Sequence, residues 1–300
     1  MPTIADFIRA RAGDPGTALC FEDQTWSYAS YVNACAERAA YLLENRLQGP
    51  LHVGVLLDNV PEFAMWLGAG ALAGAAVVGI NPTRRGAELA RDVTHTQCQL
   101  LLTDASHRTL LEGLELGIEE NRILEIDSSA YAETMSDYRG APLPEVAITE
   151  GTLFLLIFTS GTSGAPKACL CSQGRLATIA PILAQMQQFS ERDVCYLAMP
   201  MFHSNALMAG WAPAVHAGAS CALRRKFSAS GFLADVRRYG VTYFNYVGKP
   251  LAYILATPER PDDHQNSLVR AFGNEATEQD IERFQKRFGC VVTDAFGSTE

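Results

Sequence analysis

Residues 159–167 read Thr-Ser-Gly-Thr-Ser-Gly-Ala-Pro-Lys, a run rich in groups that bind phosphate. The apolar run 153–158 precedes it and a second extended stretch, 168–171, follows. Gly161 and Gly164 permit positive φ and close backbone approach, so successive N–H groups can point at oxygens. The hydroxyls of Thr159, Ser160, Thr162 and Ser163 add donors, and Lys167 adds a full positive charge. Such a loop suits polyphosphate. It is not a Walker A loop, which needs Gly directly before Lys, Ser or Thr directly after it, and a helix starting there. Here Pro166 precedes Lys167 and Ala168 follows. Pro166 lacks an N–H and biases Ala165 toward extended geometry, and the segment beyond is strand-like, so no helix dipole receives the phosphate.

The loop resembles the phosphate-binding motif of the adenylate-forming superfamily (acyl-CoA synthetases, luciferases and peptide-synthetase adenylation domains), usually written [ST]-S-G-[ST]-T-G-x-P-K. Ser163 stands where Thr is commoner. Further segments agree in the order that family requires. Pro200-Met-Phe-His-Ser-Asn resembles the segment whose His or aromatic residue lies between the nucleotide and acyl pockets, which nominates His203. Gly273-Asn274-Glu275-Ala276 resembles the strip that lines the adenine. Asp294-Ala295-Phe296-Gly297-Ser298-Thr299-Glu300 resembles the [YF]-G-x-T-E motif. The resemblance implies that Thr299 faces phosphate and that Glu300, with Thr162, holds Mg²⁺. Taken alone, His203 reads equally well as a satisfied core histidine; order and company favour the site. Thr25-Trp-Ser-Tyr and Asn59-Val-Pro-Glu-Phe-Ala also resemble the family's N-terminal pattern, so the similarity spans essentially the whole chain.

The text from 239 to 288 bears on the acid. Tyr246-Val247-Gly248, Tyr253-Ile254-Leu255 and the pair Gly273-Asn274 resemble the branch of fatty acid transport proteins and very-long-chain acyl-CoA synthetases. Independently, an alternating strand rich in Tyr and Phe beside a Gly, followed by an apolar helix, can wall an apolar tunnel or simply pack a core. Gly210, Ala209 and Gly248 are small enough to leave room for an alkyl chain. His203, Tyr246, Val247 and Gly248 are the expected acid-binding positions, and a long or very long fatty acid the expected substrate. The cluster Arg224-Arg-Lys226 reads most simply as a solvated turn, with contact to CoA phosphates or an anionic membrane surface left open.

The elements that must position these residues are legible in the hydropathy pattern. Strand-like apolar runs are predicted at 53–57, 76–80, 100–102, 122–126, 153–158, 194–199, 220–223, 242–247, 269–272 and 290–293. Helix-like segments are predicted at 28–45, 61–73, 85–94, 173–188, 231–239 and 277–288. Near-continuous apolar strands separated by helices indicate α/β architecture with mostly parallel sheets covered on both faces. The stretches 127–149 and 257–266 read as surface connections. The resemblance implies two stacked α/β subdomains, about 50–195 and about 1–49 plus 196–300. The uncharged run 63–80 is just long enough to raise the question of a membrane span. Its Gly and Ala content, β-branched end and lack of basic flanks fit a buried helix turning into a buried strand better.

The chain has 300 residues, 48% of them hydrophobic and 19% charged, with mean hydropathy +0.02, so a sizeable core is expected rather than disorder. A formal net charge of −9 argues against non-specific nucleic-acid binding but not against phosphate ligands, which need only a few local donors. Eight cysteines form no CxxC pair or disulfide framework, and most sit in apolar runs as small core residues. The N-terminus lacks a basic, then apolar, leader, so a reducing, cytoplasmic setting is expected, with peripheral membrane contact open.

The implied reaction joins a fatty acid to coenzyme A using ATP and Mg²⁺, through an acyl-AMP intermediate. The carboxylate is already ionised, so catalysis is positioning plus charge neutralisation. The family's ribose-binding Asp, hinge and C-terminal domain with its adenylation Lys are absent from the 300 residues, so the chain is expected to turn over poorly alone. An acyl-AMP ligase loading a carrier protein, and a non-catalytic acyl or nucleotide binder, are the alternatives. In a chain extended by that C-terminal part, Glu300→Ala is expected to slow fatty-acid-dependent pyrophosphate release by ~10²–10³ while acid binding survives; normal release would refute the metal role.

Overall fold

The computed structural model describes residues 1–159 and 167–297. Its strands, in chain order, are β1 (Thr17–Phe21), β2 (Gln24–Ser27), β3 (His52–Val55), β4 (Ala76–Gly79), β5 (Leu100–Thr103), β6 (Ile123–Glu125), β7 (Leu153–Thr159), β8 (Lys167–Ser172), β9 (Val194–Leu197), β10 (Ser220–Leu223), β11 (Tyr243–Val247), β12 (Arg270–Asn274) and β13 (Val291–Asp294). They form two sheets, ordered β6-β5-β3-β4-β7-β8 and β13-β12-β11-β9-β10-β1-β2. All neighbours are parallel except the pairs β7–β8 and β1–β2. Every predicted strand and helix is present, with ends shifted by a few residues.

The chain divides into two units. Met1–Asp14 and Ala29–Ala177 make the first, and Pro15–Tyr28 and Thr178–Glu300 the second. The expected division placed 1–49 with 196–300. Instead residues 29–44 of the helix Tyr28–Glu44 belong to the first unit, where the buried Tyr31 hydroxyl donates to Ala64 O at 2.9 Å. Only the short β1–β2 hairpin joins the second unit, with β1 parallel to β10. Four-residue β2 is mostly polar or exposed, which is why its periodicity gave no signal.

In the first unit, β4 and β5 are buried along their whole length, as parallel strands covered on both faces must be. The helix Pro61–Ala73 begins with Pro at its first turn, ends on Gly74 at φ 68°, and is buried from Phe63 to Ala73. A helix apolar all round belongs in a core. The run that raised the membrane question is therefore a buried helix followed by β4, and among the described residues no helix is long and apolar enough to cross a membrane.

The stretch 127–149 is not wholly irregular. Ser128 caps a helix Ser129–Asp137 by accepting from Tyr131 N, and Tyr131 and Met135, four residues apart, bury their side chains. The surrounding Pro, Gly and acidic residues mask this single apolar stripe. Tyr131 then completes a polar cluster around Glu62: its hydroxyl donates to Glu62 Oε2 at 2.6 Å, Trp66 Nε1 donates to Tyr131 at 2.9 Å, and Arg38 Nε donates to Glu62 Oε2 at 2.8 Å.

The second unit packs an aromatic core beneath its sheet. Phe232, Phe244, Phe284 and Phe288 lie with neighbouring ring centroids 4.6–5.9 Å apart. Phe284 and Phe288 come from the helix Glu278–Phe288, capped by Thr277 and stopped by Gly289 at φ 70°. Buried Arg287 on that helix pairs with Asp263 at 2.6 Å and donates to Thr257 O and Pro258 O, which pins the irregular 257–266 segment. Of the cysteines, Cys35, Cys98, Cys171, Cys195, Cys221 and Cys290 are buried.

Glu62→Ala removes the shared acceptor and leaves the buried Arg38 guanidinium without its carboxylate. A loss of about 3 kcal/mol in unfolding free energy is expected, measured by denaturant melts; a loss under ~1 kcal/mol would show that the cluster does little for stability.

Candidate functional site

The phosphate-loop segment belongs to the first unit. β7 runs parallel to β4 and ends at Thr159; β8 returns antiparallel, with Thr159 and Lys167 as the last register pair. The Thr159–Lys167 pair closes the described part of this hairpin, and Lys167 opens a strand, not a helix. Lys167 is exposed, and the buried Thr159 Oγ1 finds no hydrogen-bond partner among the described residues. Ser160, Gly161, Thr162, Ser163 and Gly164 lie outside the described residues, as do Ser298, Thr299 and Glu300.

The other segments converge within the second unit, and topology explains why. β9 lies between β10 and β11. The connection leaving β9 runs to β10 on one side, whereas that leaving β11 runs to β12 on the other. Between such strands the two outgoing loops diverge and leave a crevice at the carboxyl edge, where ligands of open α/β sheets bind. His203 lies on the connection leaving β9. Val247 ends β11 and Gly248 follows it. Asn274 ends β12, with Glu275 and Ala276 beyond, and Asp294 ends β13, with Ala295, Phe296 and Gly297 beyond. Sequence reasoning named these residues singly; strand order, which it could not supply, places them along one edge.

The backbone there is specialised. Gly248 has φ 73° and donates its N–H to Asn274 O at 3.0 Å, while Glu275 holds φ 70°, rare for a residue with a Cβ. Ala295 N donates to Gly273 O at 2.8 Å, so the 273–276 strip is held from both sides. His203 N donates to Pro200 O at 3.0 Å, and the buried His203 Nδ1 finds no partner among the described residues. Burial holds its imidazole below the usual 6.5, and the Glu275 charge opposes that shift. Phe296 stands 98% exposed, an open aromatic face beside the strip's neighbour strand.

Several expected site residues have structural work. Tyr246 is buried and its hydroxyl donates to Asp294 Oδ2 at 2.9 Å, so its ring does not line an open tunnel. Burial, then the Asp294 charge, pushes its phenol pKa up and keeps it a donor. Gly210 lies in a π-helical turn, Leu207–Trp211, where a Cβ would collide with Leu197 Cδ2; its smallness serves close packing and leaves no room for an alkyl chain. The basic cluster is neutralised, Arg224 by Asp235 at 3.1 Å and Arg225 by Glu22 at 3.4 Å, which favours the surface-turn reading.

Asn205 and Asn245 were not anticipated. Asn245 Nδ2 donates to Asn205 Oδ1 at 2.7 Å, Asn205 Nδ2 donates to Tyr246 O at 3.0 Å, and the buried Asn245 Oδ1 has no partner among the described residues. An Asn inside an aromatic strand was the available signal, since an unpaired buried amide is costly.

Within the second unit, the unpaired His203 Nδ1 and the exposed Phe296 ring offer a polar atom and a stacking face to a nucleotide. For Mg²⁺ the two nominated ligands, Thr162 and Glu300, lie outside the described residues, and among the described ones no group of His, Cys, Asp and Glu is arranged to hold a metal.

The family described as AMP-binding enzyme matches residues 8–300. The chain belongs to this family of AMP-binding enzymes. It is 50% identical over 299 residues to a Steroid-22-oyl-CoA synthetase of Rhodococcus jostii, covering 99% of this chain and 54% of that protein. It is 48% identical over 303 residues to the Medium/long-chain-fatty-acid–CoA ligase FadD17 of Mycobacterium marinum, covering 100% and 58%. Human Long-chain fatty acid transport protein 5 is 32% identical over 254 residues, covering 80% and 36%, in line with the resemblance to that branch. The inhibitor-bound crystal structure of the N-terminal domain of FACL13 from Mycobacterium tuberculosis matches with TM-score 0.87 and 19% identity, covering 100% of this chain and 77% of that one, which shows the shared fold. The chain spans about half the length of the curated relatives it matches.

The His203 imidazole is expected to titrate below 6.5 by NMR, and lower still in Glu275→Gln, which removes the opposing charge. The sign for stability follows. Unfolded His protonates first as pH falls through about 6.5, so this group has no effect well above that pH, costs stability increasingly as pH falls toward its own lower midpoint, and below that the penalty stays constant. A midpoint at or above 6.5 would contradict the burial account.

Proposed function

We propose that the chain is the nucleotide- and acid-binding part of an ATP-dependent acyl-CoA ligase acting on a large apolar carboxylic acid. The observation that carries this reading is the convergence of His203, 246–248, 273–276 and 294–297 on one carboxyl edge, at the strand reversal between β9 and β11. Membership of the AMP-binding enzymes supports the nucleotide, and relatives whose names specify steroid-22-oyl and medium- to long-chain fatty acyl groups support the acid. Both acids offer a carboxylate on a bulky apolar body.

In this reading the acid's carboxylate attacks the α-phosphorus of ATP, expelling pyrophosphate, and the thiol of coenzyme A then displaces AMP. The carboxylate needs no base, because it is ionised at neutral pH. His203, neutral by burial, orients the acid against the α-phosphate without adding a charge that would hold the carboxylate in place. The 273–276 backbone seats the adenine and Phe296 covers it. Lys167 and the hydroxyls of 159–163 hold the terminal phosphates, and Thr299 contacts phosphate. Mg²⁺, held by Glu300 and Thr162, would offset charge on the phosphate oxygens.

Calorimetric titration of the chain with non-hydrolysable acyl-sulfamoyl-adenosines tests this. Binding is expected to tighten from a short acyl group to a long fatty acyl or steroidal one, by ~0.8 kcal/mol per buried CH₂ at most. Affinity independent of the acyl group would refute the acid reading. Absence of binding by folded chain would refute the assignment of both pockets to these residues.

A further inference from the structure

Two lines of hydrogen bonds in the second unit meet at Tyr246. On one side its main-chain O accepts from Asn205 Nδ2 at 3.0 Å, and Asn205 Oδ1 accepts from Asn245 Nδ2 at 2.7 Å, so the two amide orientations are mutually fixed. Asn205 belongs to the short helix Ser204–Ala206 that His203 initiates. On the other side the Tyr246 hydroxyl donates to Asp294 Oδ2 at 2.9 Å, and the same oxygen accepts from Ala276 N at 3.0 Å. Ala276 closes the strip that begins at Gly273. That glycine is required by the same residue: a Cβ at Gly273 would collide with Tyr246 O and come within 2.6 Å of its ring Cδ2. Tyr246 itself is fully buried.

We propose that Tyr246 is a positioning residue which, through Asn205 and Asp294, couples the segment carrying His203 to the 273–276 strip, so that an acid bound at the first tightens nucleotide binding at the second. This rests on the function proposed above for the identity of the two ligands. The path runs through three side chains, Asn205, Tyr246 and Asp294, joined by direct hydrogen bonds at 2.9–3.0 Å, so ordering one end restricts the other. Buried tyrosine–carboxylate pairing alone does not make the link. Tyr196 donates to Asp235 Oδ2 at 2.6 Å in the same unit and reaches neither segment.

The test is calorimetric titration of the 300-residue chain with AMP, with and without saturating dodecanoate. In the wild type, dodecanoate is expected to tighten AMP binding roughly fivefold or more. Tyr246→Phe and Asp294→Ala should reduce that factor to within about twofold, whereas Asp294→Asn, which keeps an acceptor oxygen, should restore it. Tyr196→Phe, which breaks a bond of the same kind elsewhere, should leave the factor intact. Wild-type binding of both ligands without coupling, coupling that survives Tyr246→Phe, or equal loss in Tyr196→Phe would each overturn the proposal while leaving the functional reading standing. Failure of the folded wild type to bind either ligand would overturn the functional reading and the coupling with it.

Discussion

The site depends on one topological constraint, the reversal of strand order between β9 and β11. Parallel strands need crossover connections, and right-handed crossovers place successive strands steadily to one side. Where the chain turns back to extend the sheet the other way, two neighbouring strands send their loops apart, and the space between has no chain to fill it. In the second unit those loops begin with 198–203 and with Gly248. His203, Val247 and Gly248 border that space because of strand order, whereas the Tyr246 side chain is turned into the core.

Holding such an edge open requires polar groups that would otherwise collapse or bind water. Tyr246, Asp294, Asn205 and the 273–276 backbone satisfy one another by direct bonds, while His203 Nδ1 and Asn245 Oδ1 stay unpaired among the described residues. Buried polar atoms without partners are uncommon. His203 lies on a segment that sequence motifs had nominated, and Asn245 lies one residue before Tyr246.

Motif residues divide between ligand and scaffold. Glu62, in a segment that resembles the family's N-terminal pattern, organises Arg38, Tyr131 and Trp66 in the first unit. Gly273 serves packing against Tyr246 as much as any approach to a nucleotide. Resemblance in sequence therefore marks positions that cannot change easily, and the structure separates the reasons.

The sequence alone carried the α/β class and the failure of the Walker pattern, because periodicity, glycine placement and Pro166 are local properties. It determined that 61–73 is a buried helix, since an all-round apolar surface has no other stable place in a folded domain. Local signals could not reveal the helix Ser129–Asp137, whose single apolar stripe is diluted by polar neighbours, nor β2, which is short and mostly exposed. Tertiary contacts set residues 29–44 in the first unit, filled the space at Gly210 with Leu197, and turned Tyr246 toward Asp294. Those outcomes rest on contacts between residues that are not neighbours in the chain, and strand order, which sets such contacts, leaves no trace in the composition of any one strand.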